Sequence, residues 1–350
     1  MSTTELFTGY AAHEPRGVLT PFSYTPRPLG EDDVEIAITH CGVCASDVHQ
    51  VDCSWAKASI FPMIPGHEIV GVVQAVGSKV DTLEVGSRVG VGPQCLCCFS
   101  CEQCKRPAEE LCTGSPTFTY NSRYPDGSVA YGGYADRIRV HSRFAHPLPD
   151  ALDSAAAAPL LCAGATTYSP LVEHGVGPGH HVAVVGLGGL GHLAVQFAKA
   201  LGAEVTCVSS SERKRETCAQ LGADHFLISR NPEEMAAAQG SFDFLVSTIH
   251  YDGIEWDAYM NLIKPSGTLI MLGLPAGANL TLPSRLLVSR RLRIAGGFLA
   301  SLPEYTAMLK LCAEKNIVSW VDEMPMSEAT TALGLLREGK LKNFRLVLKN

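Results

Sequence analysis

One glycine motif constrains the fold of this chain more than any other feature. Gly186-Leu187-Gly188-Gly189-Leu190-Gly191 follows the apolar run HVAVV and opens the helical pattern LGHLAVQFAKALG. Glycines at this spacing allow a tight turn and a close approach of the backbone to a pyrophosphate, and the helix that follows points its N–H groups at the phosphates. The motif predicts a dinucleotide-binding turn. The alternative is a glycine-rich turn that serves tight packing alone.

The pattern around this motif divides the chain into three parts. Residues 1–153 are short apolar runs cut by Gly, Pro and Asp, which is typical of a β barrel or sandwich. Residues 154–292 alternate strand and helix patterns, which indicates a parallel sheet with crossover helices. Residues 293–350 hold an amphipathic helix and a last strand, FRLVLK, that is able to pair with the first domain.

The composition excludes several classes of protein. A chain of 350 residues has room for a little over two domains, and 46% hydrophobic with 18% charged residues excludes a disordered chain. The net charge of −7 argues against a nucleic-acid partner or an anionic membrane. The start MSTTELFTGY has no basic segment followed by an apolar stretch, so we expect no signal peptide and a cytoplasmic location.

Five of the thirteen cysteines fall within a short stretch. In a reducing compartment, crowded cysteines are metal ligands before they are disulfides. Four of them follow the pattern C-x2-C-x2-C-x7-C: Cys98, Cys101, Cys104 and Cys112. Four thiolates fit tetrahedral Zn²⁺, and a closed set of this kind is structural. An iron–sulfur cluster is the alternative. By spacing alone, Cys95 or Cys97 is able to replace one of the four.

The strand after the glycine turn indicates which dinucleotide binds. An NAD site usually has Asp or Glu at the end of this strand. Here EVTCV ends in Ser209-Ser210-Ser211, and Arg213-Lys214-Arg215 follow. Hydroxyls and cations bind a 2′-phosphate, so the sequence favours NADP(H). The alternative is that Ser209 and Glu212 form a capping box and that the cations are a solvated helix face.

Three further segments carry potential metal ligands, although spacing alone does not bring them together. They are CGVCASDVH, PGHEIVG and PLLCAGATTYSPL. With the cysteine run, YGGYAD, GLGGLG, SERKRE followed by LGADHF, and GGFLAS, they make eight motifs in order. Over essentially its whole length the chain resembles the zinc-dependent medium-chain dehydrogenases/reductases, within them the cinnamyl alcohol dehydrogenase group.

The resemblance implies an α/β protein of two domains. A GroES-like, β-rich catalytic domain with two zinc sites is expected over residues 1–153 and 293–350. A Rossmann domain with a doubly wound parallel sheet is expected over residues 154–292. The implied activity is the interconversion of aldehydes and primary alcohols by hydride transfer with NADP(H), favouring reduction of aromatic, allylic or aliphatic aldehydes. A homodimer is also implied.

The resemblance further implies a catalytic zinc. Its ligands would be Cys44, His67 and Cys162, with Glu68 as a fourth, exchangeable ligand. Asp47 would orient His67. Zinc with three protein ligands keeps an open position, where it acts as a Lewis acid toward an alcohol or carbonyl oxygen.

The remaining roles implied by the resemblance concern protons, cofactor and substrate. Ser46 matches the hydroxyl that contacts the substrate oxygen, and His49 matches the outer member of the proton relay. The 2′-phosphate pocket would comprise Ser209, Ser210 and Lys214, and Cys41 matches a family cysteine that is not a ligand. The aromatic residues near family pocket segments, which are equally consistent with core packing, are Trp55, Phe118, Tyr120 and Phe298.

The chain departs from the family pattern at Ala45, around Cys53 and at Asn343, which puts substrate choice in doubt rather than the chemistry. Two other functions are alternatives. Some relatives reduce C=C or C=N bonds on the same fold, commonly with altered relay or zinc ligands. A non-catalytic zinc- and nucleotide-binding protein would have lost a catalytic ligand. Every ligand is present here, which weighs against both.

Overall fold

The computed structural model describes residues 5–55, 58–249, 251, 253–274 and 280–350. The chain forms two compact units, one of residues up to 162 together with 300–350, the other of residues 163–299. These divisions lie a few residues beyond those expected at 153 and 292. The helix Ser154–Ala157 packs on strands of the first unit, and the strand Arg293–Gly296 pairs within the sheet of the second.

The amino-terminal part of the first unit is rich in short strands, as its pattern predicts. Its strands are β1 (Phe7–Ala11), β2 (Thr20–Tyr24), β3 (Asp33–Val43), β4 (Ile69–Val76), β5 (Arg88–Val91), β6 (Gln94–Leu96), β7 (Thr117–Phe118), β8 (Ser122–Arg123), β9 (Val129–Ala130), β10 (Arg137–His141) and β11 (Ala145–Pro147). Its helices are α1 (Ala45–Val51), α2 (Glu102–Lys105) and α3 (Ser154–Ala157).

The second unit alternates strands and helices. Its helices are α4 (Ala163–Glu173), α5 (Gly191–Ala200), α6 (Arg215–Gln220), α7 (Pro232–Ala237), α8 (Trp256–Leu262) and α9 (Ser284–Ser289). Its strands are β12 (His181–Val185), β13 (Glu204–Ser209), β14 (His225–Ile228), β15 (Phe242–Ser247), β16 (Ile263–Met271) and β17 (Arg293–Gly296). All pairs in this sheet are parallel, in the order β14-β13-β12-β15-β16-β17. That order is the doubly wound Rossmann topology, which confirms the predicted fold class.

The carboxyl-terminal segment returns to the first unit. It comprises α10 (Leu302–Lys315), β18 (Val321–Pro325), α11 (Ala329–Arg337) and β19 (Arg345–Lys349). Within the described residues, the largest sheet of this unit runs β11-β5-β4-β3-β19-β18, with β10 also paired to β3. The last strand therefore lies between β18 and β3, opposite Gly42 and Val43. The core of this unit is mainly aliphatic and includes Ile36, Ile69 and Val89.

No single helix in the described part of the chain is long and apolar enough to cross a membrane. One pair, residues 154–161 and 163–173, meets that length and composition only when the two are taken together across a 55° bend.

Candidate active site and metal centres

Four potential metal ligands converge in the first unit although Cys162 is far along the chain from Cys44. Cys44 precedes α1, His67 and Glu68 precede β4, and Cys162 follows the helical turn after α3. One ligand atom from each of the four lies within 4.8 Å of the others. Nε2 of His67 lies 3.2 Å from Sγ of Cys162. The structure thus brings together the set that the resemblance implied, close enough for one ion to contact all of it.

Asp47 is the fully buried carboxylate that organises this cluster. Its Oδ2 accepts the backbone N–H of Cys44 at 2.9 Å and the hydroxyl of Tyr134 at 3.1 Å. Its Oδ1 accepts the backbone N–H of Gly66 at 3.1 Å and lies 3.3 Å from Nδ1 of His67. A carboxylate held by three donors fixes the orientation of the imidazole, which presents Nε2 to the thiols.

Glu68 is fully buried and is paired with Arg345, a residue that the sequence analysis did not single out. The guanidinium donates to Oε1 of Glu68 and, at 3.1 Å, to the carbonyl of Val43. Burial raises the pKa of the Glu68 carboxyl to about 8, against the opposing effect of Arg345. An arginine inside the apolar strand FRLVLK was the available signal, because a buried charge needs a buried partner.

The second oxygen of Glu68 has no hydrogen-bond partner among the described residues. It lies over Gly42, where a Cβ would overlap it. A buried carboxylate oxygen without a donor favours a cation nearby. This orphaned atom and the adjacent thiols fit a resident zinc ion, and they also fit Glu68 as an exchangeable ligand.

The two thiols of the cluster shift each other's pKa in opposite directions. Their mutual hydrogen bond, opposed by burial and helped by His67, holds the pKa of Cys44 well below its ordinary value. The same hydrogen bond, with burial, raises the pKa of Cys162. A lowered pKa makes the Cys44 thiol easier to deprotonate, and the thiolate is the form that binds metal.

Helix α1 carries both residues predicted for the proton relay. Oγ of Ser46 lies 3.5 Å from Sγ of Cys44. Nδ1 of His49 lies 2.7 Å from Oγ of Ser54, and its ring stacks on Trp55 at 4.6 Å between centroids. Burial lowers the pKa of His49 below its ordinary 6.5, so the ring is neutral at pH 7. A neutral imidazole is able to accept a proton.

The aromatic residues proposed for the pocket occupy different settings. Tyr120 is buried and stacks on the His67 ring, with 5.6 Å between centroids. Trp55 lies against His49, whereas Phe118 and Phe298 are exposed. Residues 56 and 57, within the unusual stretch after Cys53, lie outside the described residues. Asn343 has a structural role, because its side-chain amide donates to Asp322 at 2.8 Å where β18 and β19 meet.

The second cluster is the four-cysteine lobe around α2. Its Sγ atoms lie 3.5 to 4.0 Å apart in the pairs that make contact: Cys98, Cys101, Cys104 and Cys112. Backbone N–H groups of Ser100 and Cys101 lower the pKa of Cys98 to about 5. Those of Cys104 and Thr113 lower that of Cys101 to about 7. Such donors stabilise thiolates and hence a metal with four sulfur ligands.

The two neighbouring cysteines do not belong to this set. Sγ of Cys95 donates to the carbonyl of Thr117 at 3.4 Å and lies 3.5 Å from the hydroxyl of Tyr124. Cys97 is buried against Phe144 beside the lobe. The four thiols that meet are therefore those of the spacing C-x2-C-x2-C-x7-C.

The glycine turn adopts the geometry that its sequence predicts. Gly186 has a φ of +89°, which disfavours any residue with a side chain. A Cβ on Gly191 would overlap the carbonyl oxygen of Gly186, so glycine is required for the close approach of helix and strand. Thr248, which the sequence analysis missed, donates to the carbonyls of Val185 and Gly186 at 3.0 Å and braces the turn.

The basic segment after β13 reaches this turn. Nζ of Lys214 donates to the carbonyl of Leu187 at 2.6 Å. Ser209 is buried at the strand end and Ser210 is exposed. The alternative capping box is absent from these described residues, because Ser211 is the N-cap and Glu212 pairs with Arg215. The strand end thus has hydroxyls and a cation and carries no carboxylate.

Both units of the chain match families of known dehydrogenases. Residues 30–150 match the alcohol dehydrogenase GroES-like domain and residues 189–314 match the zinc-binding dehydrogenase domain. Cinnamyl alcohol dehydrogenase 2 of Rauvolfia serpentina is 44% identical over 97% of this chain and 94% of its own. Vomilenine reductase of the same plant is 42% identical over the same shares.

A solved structure is also similar to this chain over nearly its full length. The structure described as CAD from Helicobacter pylori complexed with NADP(H) is 32% identical, covers 98% of both chains and has a TM-score of 0.90. The chain thus matches a family described as zinc-binding, and the four thiols of the lobe suit a structural zinc in such a protein. With both domains matched and relatives similar over nearly the full length, the chain belongs to the zinc-dependent medium-chain dehydrogenases/reductases, in the cinnamyl alcohol dehydrogenase group.

Proposed function

We propose that the protein is an NADP(H)-dependent zinc oxidoreductase that reduces aromatic, allylic or aliphatic aldehydes to primary alcohols and catalyses the reverse reaction. The observation that carries this proposal is the cluster of Cys44, His67, Glu68 and Cys162, whose ligand atoms all lie within 4.8 Å. Two thiols and one imidazole form the open ligand set of a catalytic zinc, and Glu68 supplies an exchangeable fourth ligand.

The roles of the residues follow from their contacts. Zinc held by Cys44, His67 and Cys162 supplies Lewis acidity toward the substrate oxygen, and the nicotinamide supplies or accepts the hydride. Asp47 keeps the His67 ring in place. Ser46, 3.5 Å from the Cys44 sulfur, contacts the substrate oxygen, and His49 exchanges the proton with solvent. The second zinc belongs to the lobe of Cys98, Cys101, Cys104 and Cys112 and is structural.

For the cofactor, we propose that the glycine turn binds the pyrophosphate and that Ser209, Ser210 and Lys214 bind the 2′-phosphate. Lys214 supports this assignment because its ammonium already reaches the carbonyl of Leu187 in the turn. The strand-end hydroxyls add hydrogen bonds to the phosphate oxygens, and no carboxylate repels them.

The test is kcat/KM for cinnamaldehyde on zinc-replete protein, with NADPH and NADH side by side. We expect a preference for NADPH of about tenfold or more, equivalent to about 1.4 kcal/mol. Lys214→Met should lower that preference. Arg213→Met is the matched control, because Arg213 is an exposed neighbour, and it should retain the preference. Equal rates with both cofactors in the wild type would contradict the NADP(H) assignment.

A second candidate is reduction of a C=C or C=N bond in specialised metabolism. A relative that is 42% identical is named vomilenine reductase, after a reduction and not after an alcohol, which is why this candidate is kept. The presence of Ser46, His49 and every zinc ligand favours the aldehyde. Absence of cinnamaldehyde turnover with either cofactor, in zinc-replete protein, would favour the second candidate.

We also propose a homodimer formed through β17. Only β16 pairs with this strand among the described residues, so its other edge is open. Exposed apolar side chains lie on and around it: Val288, Ile294 and Phe298. Open apolar edges need a cover. Light scattering should give a dimer for the wild type and for the control Val18→Lys, whose site is exposed in the first unit, and a monomer for Ile294→Lys.

A cytoplasmic location is proposed as well. All thirteen cysteines are free thiols, an arrangement suited to a reducing compartment. Cell fractionation tests this directly, and recovery of the protein with secreted or membrane fractions would contradict it.

A further inference from the structure

Three side chains meet at the amino-terminal edge of the parallel sheet in the second unit. His181 opens β12, Glu204 opens β13 and His225 opens β14. The sheet pairs His181 with Glu204, and it pairs Thr206 with His225. In-register partners and residues two apart on a strand point to the same face. The side chains of His181, Glu204 and His225, together with that of Thr206, therefore lie on one face of the sheet, near the start of three adjacent strands.

The distances fit a shared ligand. Potential ligand atoms of His181, Glu204 and His225 all lie within 4.8 Å of one another. Oε1 of Glu204 lies 2.6 Å from Nε2 of His225, and Nε2 of His181 lies 2.7 Å from Oγ1 of Thr206. Ligand atoms at about 2.1 Å from a tetrahedral zinc are about 3.4 Å apart. Glu204 and His225 are more than half exposed and are free to rotate to that spacing.

The charges around the three side chains favour a cation. Two nearby carboxylates, Asp224 and Asp243, are each paired with a lysine at 2.8 Å. Glu204 thus remains as the carboxylate that faces two imidazoles. Two imidazoles and one carboxylate are ligands typical of zinc.

These side chains are separate from the sites described above. The glycine turn and Ser209 follow the carboxyl ends of β12 and β13, whereas His181 and Glu204 begin the same strands. Both cysteine-containing clusters belong to the first unit. The chemistry assigned to those sites therefore makes no use of His181, Glu204 or His225.

We propose that His181, Glu204 and His225 form a third zinc site, in which one Zn²⁺ joins three neighbouring strands and water completes the coordination. The ion takes the place of the hydrogen bond between Glu204 and His225. Because it binds the folded sheet and not the unfolded chain, it stabilises the second unit against unfolding.

The test uses the full chain, first saturated with zinc and then freed of unbound metal. Zinc per chain is measured by inductively coupled plasma mass spectrometry after equilibration with micromolar Zn²⁺. We expect the wild type to hold one equivalent more than Glu204→Gln or His225→Ala. His174→Ala, a histidine of the same unit outside the cluster, is the matched control and should hold as much as the wild type.

A second readout is the unfolding temperature. Zinc added beyond the first two equivalents should raise it in the wild type and in His174→Ala, and should leave it unchanged in His225→Ala. Glu204 and His225 are exposed, His174 is half-buried, and turnover of each variant with NADPH reports whether it has folded. Equal zinc content in the wild type and in folded variants would overturn the proposal and leave the three side chains as a surface ion pair with a neighbouring histidine.

Discussion

The two cysteine-containing clusters of the first unit are built in opposite ways. The lobe takes all four thiols from one short loop, and no side chain of its helix α2 is buried. The remote cluster, which consists of Cys44, His67, Glu68 and Cys162, takes its ligands from three separate segments of the chain. The side chains that support it, Asp47 and Arg345, are buried. The lobe therefore depends on its metal for structure, whereas the cluster with Cys44 and Cys162 is held by the surrounding fold. Substitutions in the lobe should therefore mainly lower stability, and substitutions of the ligands in the other cluster should mainly lower activity.

The largest effect is expected on activity. Cys162→Ala removes a ligand of the catalytic zinc, and kcat/KM for cinnamaldehyde should fall by roughly 10⁴-fold, about 5.5 kcal/mol. The unfolding temperature should change much less, because the fold holds this cluster. Cys312→Ala, a buried cysteine outside both clusters, is the control and should retain turnover. Retained activity in Cys162→Ala would refute the assignment.

The converse is expected in the lobe. Cys101→Ala removes one of four thiolates and leaves a loop with little core of its own. We expect a loss of about 4 to 5 kcal/mol in the free energy of unfolding, at the upper end for single substitutions. The measurement is urea denaturation with zinc analysis of the folded protein. If zinc content falls while stability is unchanged, the lobe does not depend on its metal.

Removal of Arg345 tests how firmly the fold supports the remote cluster. Arg345→Met leaves Glu68 buried without its cation, and breaking a buried pair costs about 3 to 5 kcal/mol. We expect the lower end of that range, because the pKa of Glu68 is already about 8 and the carboxyl is able to take up a proton. Arg337→Met, which removes a more exposed pair with Asp52, should cost about 1 kcal/mol or less.

A smaller effect should appear with pH. His146 is buried and stacks on Tyr305, whose hydroxyl donates to the carbonyl of Leu161, next to Cys162. Burial lowers the pKa of His146 from 6.5 to about 4. Between these values the unfolded chain binds the proton and the folded chain does not, so stability falls as pH falls, by about 2 kcal/mol from pH 7 to pH 5.

His146→Phe keeps the stacked ring and removes the titration. Urea denaturation at pH 7 and pH 5 should therefore show a smaller loss of stability in this variant than in the wild type. Both proteins carry the same zinc ligands, so any acid-induced loss of metal cancels in the comparison. The same pH dependence in both would exclude His146 as its source.

The contrast between the clusters also explains what the sequence could predict. The lobe is a local pattern, and the four thiols of its C-x2-C-x2-C-x7-C spacing meet in the structure, which also separates them from Cys95 and Cys97, the alternatives that spacing left open. The glycine turn is local too, and its packing follows from Gly186 and Gly191. The remote cluster needed family resemblance, because no spacing rule links Cys44 to Cys162. Arg345 and Thr248 were missed because their partners are fixed only by the pairing of β19 with β3 and by the approach of residue 248 to β12.

The position of β19 has a consequence for synthesis on the ribosome. The four residues of the remote cluster have all been synthesised once residue 162 is added, but Arg345 follows the entire second unit. At about 5 to 20 residues per second, that interval lasts about 10 to 40 s. During it, Glu68 lacks its cation and the edge of β3 that β19 later covers is open. The nascent first unit therefore spends this interval with an incomplete sheet, when capture by a chaperone or by another chain competes with folding.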